Sequence, residues 1–212
     1  MGAGRDLATG ERRALSALLG EVGPAAPTLC AGWTTRDLAA HLVVRDRRPD
    51  ALPGLVAPPL AWWTDRVQQG VTRRPWSELV ELVRSGPPVW SPLGLPGPFD
   101  AVDAVEFFVH HEDVRRAREG WTARPHDPER DEVLWRALAS AARLSYRRCP
   151  VGVVLRRDDG SEHVARRGPR AVAIVGAPGE LLLHAYGREA VVVDFEGEQA
   201  DVAAVRGLRR GI

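Results

Sequence analysis

The stretch Asp103-Ala-Val-Glu106-Phe-Phe-Val-His110-His111-Glu112-Asp113 is the most chemically loaded part of the chain. Glu106 and His110 stand at i and i+4, so on a helix they share a face with Cβ atoms about 5–6 Å apart. Two side chains at that spacing can chelate one ion, the geometry that HExxH helices use. Both fall on a stripe with Phe99, Val102 and Ala117, positions expected to point inward. A carboxylate there is costly to bury unless it is paired or holds a metal. His41 repeats the argument on a second helix, where it sits between Leu38 and Leu42 on the stripe that should face the core. Two imidazoles and one carboxylate make a His₂Glu set that leaves a coordination position open for water or substrate. That donor set suits zinc, with non-haem iron as the alternative.

Blander readings stand beside this one. Glu106 and His110 can form a hydrogen-bonded or ionic pair with no metal, and His41 alone can be a satisfied core histidine. His111 lies about 100° around the helix from His110, so it reads as a neighbour or a surface residue. Asp103 and Asp113 can orient ligands as outer acceptors, or pair with Arg115, Arg116 or a helix cap. Glu112 points away from the ligand stripe, which leaves a metal-dependent hydrolase without a clear general base.

The elements that would carry these residues are mostly helical in the first two-thirds of the chain. Leu15, Leu18, Leu19 and Val22 recur at helical spacing, and Gly23-Pro24 closes that helix. Thr34 is a natural N-cap with Asp37 three residues on, so a helix is expected from about Thr35 to Arg48, before Pro49. Residues 49–60 and 86–98 are rich in Pro and Gly and read as loops. Between them Trp62–Gln69 and Trp76–Arg84 read as short helices. Phe99–Arg118, closed by Gly120, and Glu129–Arg147 follow as longer ones. The character changes at Cys149-Pro150. Strands are expected over 151–155, 163–166, 171–175 and 190–195, with a hairpin turn at 158–161 and helices over 178–186 and 199–208. The expected class is therefore α+β, with a helical domain over 1–148 and a small α+β domain over 149–212.

Composition narrows the function. The 212 residues are 44% hydrophobic and 27% charged with net charge +1, so no bulk electrostatic case exists for nucleic acid or an anionic membrane surface. All 29 basic residues are arginine, which excludes a lysine Schiff base or a P-loop. Cys30 and Cys149 are too few for a disulfide scaffold and lack metal-site spacing. The N-terminal stretch has no apolar h-region, Asp6 spoils a myristoylation motif after Gly2, and no apolar run reaches membrane-spanning length. A cytoplasmic protein is expected. Seven tryptophans, Trp62-Trp63 among them, fit either core positions or an apolar pocket.

The segments PTLCAGWTTRDLAAHL and EFFVHHEDVRRA together resemble the metal-binding domain of the mycothiol-dependent maleylpyruvate isomerase family, within the wider DinB-like four-helix bundles. The segment GAPGELLLHAYGRE resembles that family's small C-terminal domain, similar to sterol-carrier folds. The resemblance implies metal ligation by the histidine of the GW-T-x-x-D-L-x-x-H pattern and by a later E-x-x-x-H pair, here His41, Glu106 and His110. It also implies mycothiol as a cosubstrate whose thiol the metal ionises, and an acidic substrate group held by the arginine of a GR turn, here Arg188. A solvent-facing position near a helix C-terminus is the plainer account of Arg188. Two functions follow as expectations: a thiol-dependent transferase or isomerase-like enzyme with a divalent metal, or a non-catalytic metal-binding or small-ligand-binding module.

Overall fold

The hydrophobic spacing in the first twenty residues builds a helix longer than the pattern requires: α1 spans Gly2–Val22 and buries Leu15 and Leu19 completely. It ends where Gly23, at φ +78°, donates its N–H to the Leu19 carbonyl at 3.1 Å. The computed structural model describes residues 2–51, 57, 59, 61–91, 94, 97 and 99–210, so parts of the expected 49–60 and 86–98 loops lie outside the described residues. The remaining helices are α2 (Thr35–Arg47), α3 (Ala61–Thr72), α4 (Trp76–Ser85), α5 (Asp100–Arg115), α6 (Pro128–Ser145), α7 (Pro178–Ala185) and α8 (Gln199–Arg206). The strands are β1 (Gly152–Arg156), β2 (Glu162–Arg166), β3 (Ala171–Val175) and β4 (Asp194–Glu196). The class is α+β.

The chain divides into two units, Met1–Trp121 and Thr122–Ile212. The first unit holds α1 to α5. Helix α1 packs along α5 and α4, and α2 packs on α3 and α4, around a core of Leu15, Leu19, Leu38, Leu42, Leu79, Val83 and Phe107. Thr34 starts α2 as its spacing to Asp37 requires: its backbone N–H and hydroxyl both donate to Asp37 Oδ2, at 2.9 and 2.7 Å.

The second unit begins before the expected boundary near residue 149. Helix α6 lies inside it because it packs on α7 and β2. Leu134, Leu138 and the Trp135 ring are buried there, with Trp135 stacked on His163 of β2 at 3.9 Å between ring centroids. The sheet order is β2-β1-β3-β4, with β1 antiparallel to β2, parallel to β3, and β3 antiparallel to β4. The β1–β2 hairpin closes over residues 157–161, where Gly160 takes φ +83°. The fourth strand is shorter than expected, because pairing with β3 starts only at Asp194. No described helix is long and apolar enough to cross a membrane.

Candidate metal centre

Helices α2 and α5 bring three polar side chains of the first unit together. His41 Nε2 lies 3.1 Å from Glu106 Oε1, and His110 Nε2 lies 3.4 Å from the same oxygen. One ligand atom from each of His41, Glu106 and His110 falls within 4.8 Å of the other two. In a tetrahedral site with bonds of about 2.0–2.1 Å, neighbouring ligand atoms stand about 3.3–3.4 Å apart. The two oxygen–nitrogen separations are close to that edge, so the donor set fits a zinc-sized cation. The side chains of His41, Glu106 and His110 keep 14%, 23% and 11% of their surface exposed, which leaves a path for a small ion or ligand.

The local sequence explains these positions. His41 lies on α2 between Leu38 and Leu42, both fully buried, as its spacing requires. Helix α5 departs from the expected stripe. Phe99 and Val102 are exposed, and the buried arc instead centres on Ala104, Phe107, Phe108, His111 and Val114. Glu106 therefore sits at the margin of the buried surface rather than in its middle. Apolar residues at the start of a helix give the right period without requiring cover.

Several neighbours take roles the spacing left open. His111 is buried, and its Nδ1 lies 2.7 Å from Glu11 Oε2 on α1. Glu112 is buried among Arg115 and Arg116. Asp103 accepts from Arg45, while Asp113 Oδ2 lies 2.9 Å from His110 Nδ1. Of the seven tryptophans only Trp135 is buried, and Trp62 and Trp90 are exposed.

Two residues near the centre were not singled out in the sequence. Arg45 follows His41 by four positions, so it shares that helix face, and its Nε stands 3.6 Å from Glu106 Oε1. It also pairs with Asp46 and Asp103, and Asp46 in turn takes Arg12 from α1. Cys30 lies 80 positions before His110, yet its Sγ is 3.9 Å from His110 Nδ1 and 3.1 Å from Asp113 Oδ2. Nothing in cysteine spacing could have shown that contact, which a turn between two helices creates.

The electrostatics follow from these contacts. Burial alone would push the Glu106 carboxyl up. Hydrogen bonds from His110 and His41, with the charges of His110 and Arg45, outweigh it and hold the group well below the usual range. Burial alone would pull His110 down. Its hydrogen bonds to Asp113, Cys30 and Glu106 prevail and hold it well above the ordinary histidine value.

Two solved structures align with this chain: a mycothiol-dependent maleylpyruvate isomerase and a histidine-to-alanine mutant of it. Each alignment covers 92% of both chains at TM-score 0.63 and 19% sequence identity. The chain has the fold of that enzyme. No protein-family model matches the sequence, and no curated protein matches it significantly. At this identity the likeness carries the fold and not the chemistry.

Arg188 belongs to the second unit. It follows Gly187 in the turn that closes α7, where its Nη1 donates to the Tyr186 carbonyl at 2.7 Å.

Proposed function

We propose that His41, Glu106 and His110 bind one divalent cation, zinc by their donor set, and that the protein is a thiol-dependent transferase or isomerase-like enzyme. One observation carries the metal reading. Two imidazole Nε2 atoms from different helices stand 3.1 and 3.4 Å from a single carboxylate oxygen, close to the separations that ligands of a tetrahedral cation keep. The thiol-dependent part is supported by the shared fold with a mycothiol-dependent isomerase. The same likeness supports a DinB-like bundle for the first unit and a sterol-carrier-like character for the second.

A bound zinc would supply a Lewis-acid centre able to lower the pKa of a thiol at its open position. The chain's own residues do the rest. With a cation bound, His41 and His110 would each offer an Nε2 lone pair, and Glu106 contributes a carboxylate that His110, His41 and Arg45 together hold ionised. Arg188 is assigned an acidic substrate group, because a guanidinium can grip a carboxylate bidentately. The test is turnover of an acidic electrophile such as maleylpyruvate by zinc-loaded protein with and without mycothiol. Thiol-dependent turnover is expected, and Arg188→Ala, tested separately, should weaken binding of an acidic ligand at unchanged metal content. Zinc-loaded protein inert with every thiol offered would remove the enzyme reading.

A second reading has its own observation. The 3.1 Å contact is also hydrogen-bond length, and Arg45 already neutralises Glu106 from 3.6 Å, so the cluster can be a metal-free ionic network within a non-catalytic module. Metal content of the purified protein separates the two.

A further inference from the structure

The turn between α1 and α2 sets side chains against both candidate histidines. Pro27 and Thr34 pair across it in an isolated antiparallel bridge. Within it, Thr28 Oγ1 donates to the Trp33 carbonyl at 2.9 Å and accepts the Cys30 N–H at 3.2 Å, and the Trp33 N–H donates to the Cys30 carbonyl at 3.0 Å. The Leu29 N–H donates to the Asp113 carbonyl at 3.0 Å, which ties the turn to α5. The Trp33 ring then lies 5.2 Å from the His41 ring, and Cys30 Sγ donates to Asp113 Oδ2 at 3.1 Å. That same oxygen lies 2.9 Å from His110 Nδ1.

We propose that Cys30 and Asp113 are positioning residues for His110, the thiol fixing a carboxylate that in turn accepts the Nδ1–H of the imidazole. A neutral imidazole carries one proton, so holding it on Nδ1 leaves the Nε2 lone pair facing Glu106, where the cation would sit. A carboxylate on the far nitrogen also makes the ring a stronger ligand. Asp113 is fully buried, and a buried carboxylate keeps one orientation only while donors hold it. Cys30 supplies such a donor from outside the helix. Its backbone is pinned on both sides, so the Sγ position does not depend on a mobile loop. The inference rests on the metal reading above.

The experiment measures zinc affinity by competition with a chromophoric chelator for the wild type, Cys30→Ser, Cys30→Ala and Asp113→Asn. Melting of each metal-free protein serves as the structural control. The serine hydroxyl keeps a donor, so Cys30→Ser should bind zinc nearly as the wild type does. Cys30→Ala should bind about 2- to 12-fold more weakly, the loss of one hydrogen bond from a weak thiol donor. Asp113→Asn should bind about 10- to 100-fold more weakly, as removal of an outer carboxylate does. In the zinc-loaded wild type, nitrogen-15 shifts should place the His110 proton on Nδ1. Should Asp113→Asn fail to fold, the two Cys30 variants and the wild-type spectrum still decide. Wild-type affinity in Cys30→Ala and Asp113→Asn, or zinc on Nδ1, overturns the positioning role alone. A wild type without zinc affinity overturns the metal reading, and this inference with it.

Discussion

His41 Nε2 stands 3.1 Å from Glu106 Oε1 although 65 positions separate the two residues in the chain. The pair joins α2 to α5, so anything bound between them stabilises the first unit against unfolding. A cation that binds only the folded chain contributes by mass action, roughly 2.7 kcal/mol at a hundredfold excess over Kd. Chelator should therefore lower the melting temperature of the purified wild type, and His110→Ala should show almost no chelator response. Glu106→Ala should contain no zinc by elemental analysis. A wild-type midpoint indifferent to chelator would make the cluster a purely ionic one.

Proton linkage separates the same two states with opposite signs. In the metal-free protein His110 has a raised pKa, so its contribution is complete below its unfolded value of about 6.5 and is lost as pH rises through the folded value. Glu106 has a lowered pKa. Its contribution is present above about 4.3 and is lost as pH falls through the folded value. Metal needs His110 neutral, so zinc affinity must rise with pH while the ionic pair weakens. The gap in melting temperature between zinc-loaded and metal-free protein should widen from about pH 6 to pH 8.5 at fixed free zinc. A constant gap would show that no proton leaves the site on binding.

Much of this cluster is legible in the sequence because its signals are local. Thr34, Asp37, Leu38 and Leu42 announce both where α2 starts and which way His41 points. Glu106 and His110 declare their shared face by spacing alone. Packing partners are not encoded in the same local way. Phe99 and Val102 extend the stripe in sequence yet lie exposed, since a period says which residues share a face and not whether a neighbour covers it. The division into compact units follows packing for the same reason: the helical composition of α6 matches the first unit, while its packing on α7 and β2 belongs to the second. The Cys30–Asp113 contact and the Glu11–His111 pair are tertiary, and no period encodes them.

The arginines and aspartates of the first unit form a buried relay whose weakest point is predictable. Asp46 is nearly fully buried and receives both Arg12 from α1 and Arg45 from its own helix. Asp46→Ala leaves two buried guanidinium groups short of a partner, a change that costs about 3–5 kcal/mol. Urea unfolding should show that loss, and zinc affinity should fall too, because Arg45 also faces Glu106. A loss under about 1 kcal/mol would mean that solvent reaches these arginines and screens them.

The second unit carries an acid-sensitive histidine of its own. His184 on α7 is buried, its Nδ1 lies 2.6 Å from Tyr146 Oη, and its ring packs on Phe195 at 5.5 Å between centroids. Burial pushes the Tyr146 hydroxyl up, so it stays protonated and donates, and His184 accepts as a neutral ring. Burial, with the nearby charges of Arg210 and Arg206, lowers the His184 pKa to about 3. A group depressed in this way contributes stability that is present above its unfolded pKa of about 6.5 and is lost as pH falls toward the folded value. The slope for one proton is about 1.4 kcal/mol per pH unit at most. The second unit should therefore lose about 2 kcal/mol between pH 6.5 and 4.5, read from urea unfolding followed by the indole proton resonance of Trp135. His184→Phe should be less stable at pH 7, where it forfeits the Tyr146 hydrogen bond, yet it should lose much less between the two pH values. Equal acid sensitivity in the variant and the wild type would place the titrating group elsewhere.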